Sequence, residues 1–287
     1  MAYSKLDRMS QSETSIGIVG LGLIGGSVGL AARAAGWYVL GYDPVRETRF
    51  AAEGHAVDRA VLDPLDLCEC DLVFVAVPPP ATVEALGVLR HACSVLTDCA
   101  SVKGPIAEWA VQQDEDALRR RLVPGHPMAG HEQGGLQHAR ADLFKGAPWL
   151  LTPTAHTDPR ATEMVERTVR AFGAEPRRLD AREHDRIVAR VSHLTHAVAS
   201  ALVLVAGDDA RFGGGSWRDG TRVAGASPPM WRDILLMNHA EAADALEALI
   251  AQLESVLSKV RSGDAEGLES YWEEARKTKH GMQTPSV

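Results

Sequence analysis

Ile16-Gly17-Ile18-Val19-Gly20-Leu21-Gly22-Leu23-Ile24-Gly25-Gly26-Ser27 is the stretch whose reading decides the fold. Apolar β-branched residues run directly into Gly20-x-Gly22-x-x-Gly25, and a run of small and apolar residues follows from Val28 to Ala35. The pattern predicts strand, tight turn, helix. Gly20 permits the turn, Gly22 lets a backbone approach a pyrophosphate, and Gly25 lets helix and strand pack closely. The helix N-terminus, opened by Leu23 and Ile24, offers free N–H groups and partial positive charge to phosphates. A second strand, Trp37 to Tyr42, ends at Asp43, 18 residues after Gly25. An acidic residue there suits the ribose hydroxyls of an adenosine. The alternative for the whole stretch is a glycine-rich packing turn.

Outward from this unit, Arg46 to Gly54 reads as a short helix. Asp71 to Val77 is a buried strand stopped at Pro78-Pro79-Pro80. A helix over Ala81–Ala92, a strand over Ser94–Asp98 and a helix with Pro105 in its first turn follow. Trp149–Thr152 and Glu175–Leu179 are predicted strands flanking a helix from Pro159 to Phe172. Alternating strands and helices indicate a Rossmann-type, parallel, doubly wound sheet. Beyond Asp180 only helical periodicity remains. One long helix is expected over Glu183–Ala206, a loop at Gly213–Ser216, and helices over Met230–Val260 and Ala265–Lys277. The expected fold is therefore α/β, a Rossmann-type domain followed by an all-α domain. We divide the chain into a disordered tail (1–14), a dinucleotide-binding domain (15–179) and a helical substrate and dimerisation domain (180–287). The stripe Leu246, Leu249, Ile250, Leu253, Val256, Leu257, Val260 has 3–4 spacing and predicts a helix-packing face, a natural homodimer interface.

Composition narrows the function. The 287 residues carry a net charge of −8 and a pI near 5.8, which argues against nucleic acid or a membrane surface as partner. Cys68, Cys70, Cys93 and Cys99 have no metal-ligand spacing and are expected as small buried residues in a reducing cytoplasm. Residues Met1 to Thr14 lack the apolar core of a signal peptide. The apolar run Leu194–Ala206 is too short to span a bilayer. The expected location is cytoplasmic.

The ligand crevice of such a sheet lies at the carboxyl ends of its strands. Val77 and Pro78 border it at the end of one strand, and Ser101 and His126 each sit just after another. His126, on a Gly-His-Pro turn, is the candidate general base, since neutral imidazole can take a hydroxyl proton. Ser101 is a candidate to hold His126, the substrate or the cofactor; the alternative is a helix N-cap. His193 and His196 lie one turn apart, but no third metal ligand presents itself, and no metal is expected. Arg222 could grip a carboxylate bidentately or pair with Asp219 at the surface.

These pieces together resemble the prephenate and arogenate dehydrogenases of tyrosine biosynthesis. The resemblance rests on Gly20–Ser27, Asp98-Cys-Ala-Ser-Val-Lys103, Gly125-His-Pro-Met-Ala-Gly130, Ser192-His-Leu-Thr-His196, Trp217-Arg-Asp-Gly-Thr-Arg222 and Met230-Trp-Arg-Asp-Ile234. It implies oxidative decarboxylation of prephenate, or of arogenate, with NAD and possibly NADP. It implies His126 as base with Ser101 beside it and Arg222 on a substrate carboxylate. His196, Gly215, Glu132 and Trp231 match positions near the substrate. The family's His-Leu-Pro-His reads His-Leu-Thr-His here, so a straighter helix is expected. A β-hydroxyacid dehydrogenase or imine reductase shares the first motif, but Gly213–Trp217 lacks the lysine expected there. A non-catalytic dinucleotide sensor would not need His126, Ser101 and Arg222 together.

Overall fold

β1 (Ser15–Val19) is buried along its whole length and runs straight into the glycine turn. In the computed structural model residues 14–92, 94–113, 116–131 and 133–281 are described. The expected tail, save Thr14, lies outside the described residues, as do Cys93 and Glu132. Gly20 has φ +90°, and a Cβ there would stand 2.5 Å from the Ala76 carbonyl oxygen. A Cβ on Gly25 would lie 1.8 Å from the Gly20 carbonyl oxygen. Only glycine lets α1 (Leu23–Ala34) start this close to the strand it follows.

β2 (Tyr38–Tyr42), β3 (Arg59–Ala60), β4 (Leu72–Val75) and β5 (Val95–Asp98) complete a five-stranded parallel sheet in the order β3-β2-β1-β4-β5. Strand order reverses between β1 and β4, so the crevice opens where β1, β2 and β4 end. α2 (Arg46–Ala52) and α3 (Thr82–Val88) are shorter than expected. The two-residue edge strand β3 carries no sequence signal. β4 alternates its burial: Leu72 and Phe74 join one apolar cluster, Val73 and Val75 the other. Both faces of the sheet are covered, as a parallel sheet requires.

The expected single sheet is in fact two. β6 (Gly125–Pro127), β7 (Pro148–Leu151) and β8 (Glu175–Arg178) form a separate sheet, with β6 antiparallel to β7 and β8 parallel to it. Pro124 and Pro127 have no N–H to donate, so β6 is confined to three residues. His126 therefore lies within a short strand rather than after one. Leu122 makes only an isolated bridge to Leu96 of β5. An aromatic cluster joins the sheets: Trp149 meets Phe74 at 6.0 Å and Phe144 at 4.9 Å between ring centroids. Each such buried side chain contributes about 1.5–3 kcal/mol, as much as two or three ladder hydrogen bonds at about 1 kcal/mol each. α4 (Gly104–Gln112), α5 (Asp116–Arg121) and α6 (Pro159–Ala171) pack around these sheets.

The helical part departs from expectation twice. α7 (Ala181–Val188) and α8 (Leu194–Ala206) are continuous, but a π-helical turn, Ala189–His193, joins them. Thr195, which replaces the family's proline, lies in the regular α8 just past this π turn. Such turns re-aim the side chains that follow and recur at functional sites. With a 3₁₀ extension, the stretch Ala181–Phe212 is long and apolar enough to cross a membrane by length and composition, unlike Leu194–Ala206 alone. The helix expected over Met230–Val260 breaks at Asn238, between α10 (Pro228–Met237) and α11 (His239–Ser262); α9 (Gly215–Thr221) precedes them.

The chain divides into two compact units, one reaching His239 and the other beginning at Ala240. In the second, α11 ends at Gly263, φ +68°, whose N–H donates to Val260 O at 3.3 Å while Asp264 N–H donates to Lys259 O at 3.0 Å. This satisfies the last carbonyls of the helix. Asp264 then opens α12 (Ala265–Gly281), accepting from Gly267 N at 2.9 Å. On α11, Ile250, Leu253, Leu257 and Val260 of the apolar stripe are exposed.

Candidate active site

At the end of β1, Gly20 N–H donates to Tyr42 O at 2.7 Å, tying the glycine turn to β2. Asp43 accepts from Leu21 N on one carboxylate oxygen and from Val45 N on the other, both at 2.9 Å. Each oxygen keeps a further lone pair for a ribose hydroxyl. Gly22 caps α1 with no side-chain bond, leaving the first N–H groups at Leu23 and Ile24 for an anion. A Cβ on Gly22 would meet nothing within 4 Å, whereas Val77 flanks Gly20 and Pro78 follows it at the surface. Arg49 donates to the Asp43 and Pro44 carbonyls, and Arg46 is exposed beside them. These residues fit a dinucleotide.

His126 is held from below. Asp98 and Lys103 form a fully buried ion pair. Lys103 Nζ also donates to Gly125 O at 2.7 Å, and Asp98 Oδ1 accepts from Gly125 N at 3.2 Å. Both main-chain groups preceding His126 are thus clamped by one ion pair. Losing either charge would leave the other buried and unpaired, which typically costs about 3–5 kcal/mol. His126 Nδ1 lies 2.9 Å from His184 Nε2, and His184 Nδ1 lies 2.7 Å from Asp185 Oδ1. Burial, then His184, Lys103 and His193, hold the His126 pKa well below the ordinary histidine value. Ser101 is half-buried in the turn after β5. It is not the cap of α4: Lys103 N and Gly104 N donate to Asp185 at 2.8 and 2.7 Å.

The network continues. Asn238 Nδ2 donates to Asp185 O at 2.9 Å and stands 3.3 Å from His193 Nδ1. The His193 ring meets Trp231 edge-on at 5.9 Å, and His196 stacks on Trp231 at 3.6 Å. The Arg222 charge helps lower the His196 pKa, after burial. His126, His193, His196, Trp231 and Arg222 are therefore brought into one neighbourhood. Gly215 lies at the exposed start of α9, which packs on α8. His193 Nε2 and Trp231 Nε1 are buried without hydrogen-bond partners among the described residues. No group of three His, Cys, Asp or Glu among the described residues could hold a metal.

Burial makes this network acid-sensitive. The His193 pKa is pushed down to about 4, chiefly by burial, against about 6.5 in an unfolded chain. Its contribution to stability is full above the unfolded value and is lost as pH falls toward the folded one. The loss amounts to at most on the order of 3 kcal/mol. Denaturant midpoints should fall between neutral pH and pH about 4.5, and less steeply in His193→Asn.

Comparison with known proteins decides the family. Residues 28–176 match the model of the prephenate dehydrogenase nucleotide-binding domain, and residues 180–274 that of the prephenate dehydrogenase dimerization domain. The chain belongs to the prephenate dehydrogenase family. It is 33% identical to a Bacillus subtilis prephenate dehydrogenase, over 96% of this chain and 77% of that one. The prephenate dehydrogenase of A. aeolicus, in complex with hydroxyphenyl propionate and NAD+, superposes with TM-score 0.84 at 30% identity, covering 94% and 99% of the two chains. A Synechocystis arogenate dehydrogenase superposes with TM-score 0.80 at 28% identity, covering 93% and 99%. This protein is an NAD(P)-dependent dehydrogenase.

Sequence reasoning missed His184, Asp185 and Asn238 in this dehydrogenase, and quoted Asp98 and Lys103 without giving them a role. For Asp98 a signal existed: an apolar strand running straight into a carboxylate implies a buried charge in need of a partner. His184-Asp185 looked like any polar turn of an amphipathic helix. Of the cysteines, Cys70 is buried, whereas Cys68 and Cys99 are half-buried. They are not all interior as expected, because Cys68 lies on a 3₁₀ turn and Cys99 at a strand end.

Proposed function

We propose that this enzyme oxidatively decarboxylates prephenate with NAD, with arogenate as the alternative substrate. The observation that carries the reading is the buried His126, clamped at its main chain and facing a network that also contains His193, Trp231 and Arg222. Two buried donors without hydrogen-bond partners among the described residues, His193 Nε2 and Trp231 Nε1, support an oxygen-rich ligand. In this reading Gly20, Gly22, Gly25, Leu23 and Ile24 hold the pyrophosphate, Asp43 the ribose, and Val77, Pro78 and Ser101 line the nicotinamide side. Bound NAD supplies the hydride acceptor. His126 Nε2 takes the proton of the ring hydroxyl as hydride leaves the same carbon. The resulting ketone is conjugated to the carbon that bears the carboxylate. Carbon dioxide leaves with its bonding electrons passing into the ring, which becomes a phenol. Arg222 holds a substrate carboxylate, and His196, Trp231 and Gly215 shape the surroundings. The protein positions the reactants and accepts one proton.

The exposed apolar stripe of α11 supports a homodimer through the helical part. A lipid-spanning role for Ala181–Phe212 is disfavoured, because the same helix carries the hydrogen-bonded His184, Asp185 and His193. A small acidic metabolite and a cytoplasmic location fit best.

Steady-state kinetics with prephenate and arogenate, each with NAD and NADP, test this reading. Prephenate with NAD should give the highest kcat/KM, because the Asp43 carboxylate accepts from both ribose hydroxyls and repels a 2′-phosphate. A clear preference for NADP would overturn the role given to Asp43, and a clear preference for arogenate would transfer the activity to that substrate.

A further inference from the structure

We propose that His184 and Asp185 are positioning residues that hold the His126 proton on Nδ1, so that Nε2 is left as the bare lone pair. The inference rests on reading His126 as the base. Asp185 accepts from Lys103 N on Oδ1 and from Gly104 N on Oδ2, at 2.8 and 2.7 Å. These are leading N–H groups of α4, the positive end of a helix, where an ionised carboxylate is favoured. An ionised carboxylate only accepts, so His184 Nδ1, 2.7 Å from Asp185 Oδ1, bears hydrogen.

His184 is fully buried, and burial keeps its imidazole neutral below the ordinary histidine range, against the opposing pull of Asp185. A neutral ring protonated on Nδ1 has a bare Nε2. That atom stands 2.9 Å from His126 Nδ1, which must therefore donate. His126, neutral in its turn, keeps Nε2 unprotonated. The charged and titratable groups facing this pair are Asp98 from the end of β5, Lys103 from the β5–α4 turn, Asp185 from α7 and His193 from the π turn. The cations Lys103 and, if protonated, His193 disfavour a second positive charge here. The reverse arrangement would require a protonated Asp185 facing two backbone donors and would forfeit charge-assisted bonds. Asn238 adds rigidity by donating to the Asp185 carbonyl at 2.9 Å.

Asp185 also caps α4, so its removal would confound positioning with folding, and His184 is the residue to change. His184→Leu removes the acceptor. His184→Gln keeps an oxygen within similar reach of His126 Nδ1. Nitrogen-15 NMR of histidine-labelled protein, assigned against His126→Asn, reads the tautomer directly. In the wild type His126 should carry its proton on Nδ1. In His184→Leu the proton should populate Nε2, and kcat should fall roughly 10²-fold with KM for both substrates nearly unchanged. His184→Gln should restore both the tautomer and most of kcat. A wild-type His126 protonated on Nε2 would overturn the proposal, as would full activity in His184→Leu or equal impairment in His184→Gln. The wild-type spectrum and the His184→Gln rescue carry the test if His184→Leu does not fold. Failure of the wild type to turn over prephenate or arogenate would instead refute the functional reading and leave the tautomer measurement standing.

Discussion

Replacing His126 with Asn should lower kcat roughly 10²- to 10⁴-fold, the usual range for loss of a general base. KM for substrate and for NAD should change little, because asparagine keeps a hydrogen-bonding group of similar reach and the clamp on Gly125 does not involve the imidazole. The pH profile sharpens the expectation. Sequence alone suggests an acidic limb near the ordinary histidine value of about 6.5. The site corrects this, since burial and the neighbouring His184, Lys103 and His193 hold the His126 pKa well below that value. The base is active when neutral, so activity falls as pH drops through its pKa. A lowered pKa moves this limb of kcat/KM to the acid side of 6.5 and leaves the rate flat around neutrality. His126→Asn should lose the limb. Near-normal kcat in that variant, or an unchanged limb, would mean that another group takes the proton.

Arg222→Ala should raise KM for the substrate strongly and leave KM for NAD nearly unchanged. Arg222 is exposed, so the expected effect is that of a charge pair desolvated only once a substrate covers it, for which truncating one partner typically costs about 2–5 kcal/mol, or roughly 30- to 5,000-fold. Arg222 helps to lower the His196 pKa. The same variant should therefore let His196 titrate at higher pH, which NMR can follow independently of turnover. Equal losses for both ligands would mark the arginine as structural.

The legible part of this chain was the part governed by local pattern. Gly20-x-Gly22-x-x-Gly25 announced its turn because steric exclusion at 1.8 and 2.5 Å leaves no other residue type at Gly25 and Gly20. The apolar runs of β1 and β4 announced a sheet buried on both faces. His126 stood out on its Gly-His-Pro segment. What escaped depends on contacts across long separations. Asp185 caps a helix that begins 81 residues earlier, and Asn238 reaches back 53 residues to hold its carbonyl. No periodicity encodes such bonds. The π turn at Ala189–His193 escaped for a related reason: its residues have ordinary helical preferences, and only the packing of His193 against Asn238 and Trp231 reveals the altered phase. The division into two sheets was hidden because Leu122–Val123 reads as a strand, yet only one bridge forms before Pro124 ends the ladder.

The most direct measurement is of products. Wild-type enzyme supplied with prephenate and NAD should form NADH and carbon dioxide in equal amounts and at the same rate, with 4-hydroxyphenylpyruvate as the organic product. NADH without carbon dioxide would contradict oxidative decarboxylation, and no turnover of either prephenate or arogenate would contradict the assignment altogether.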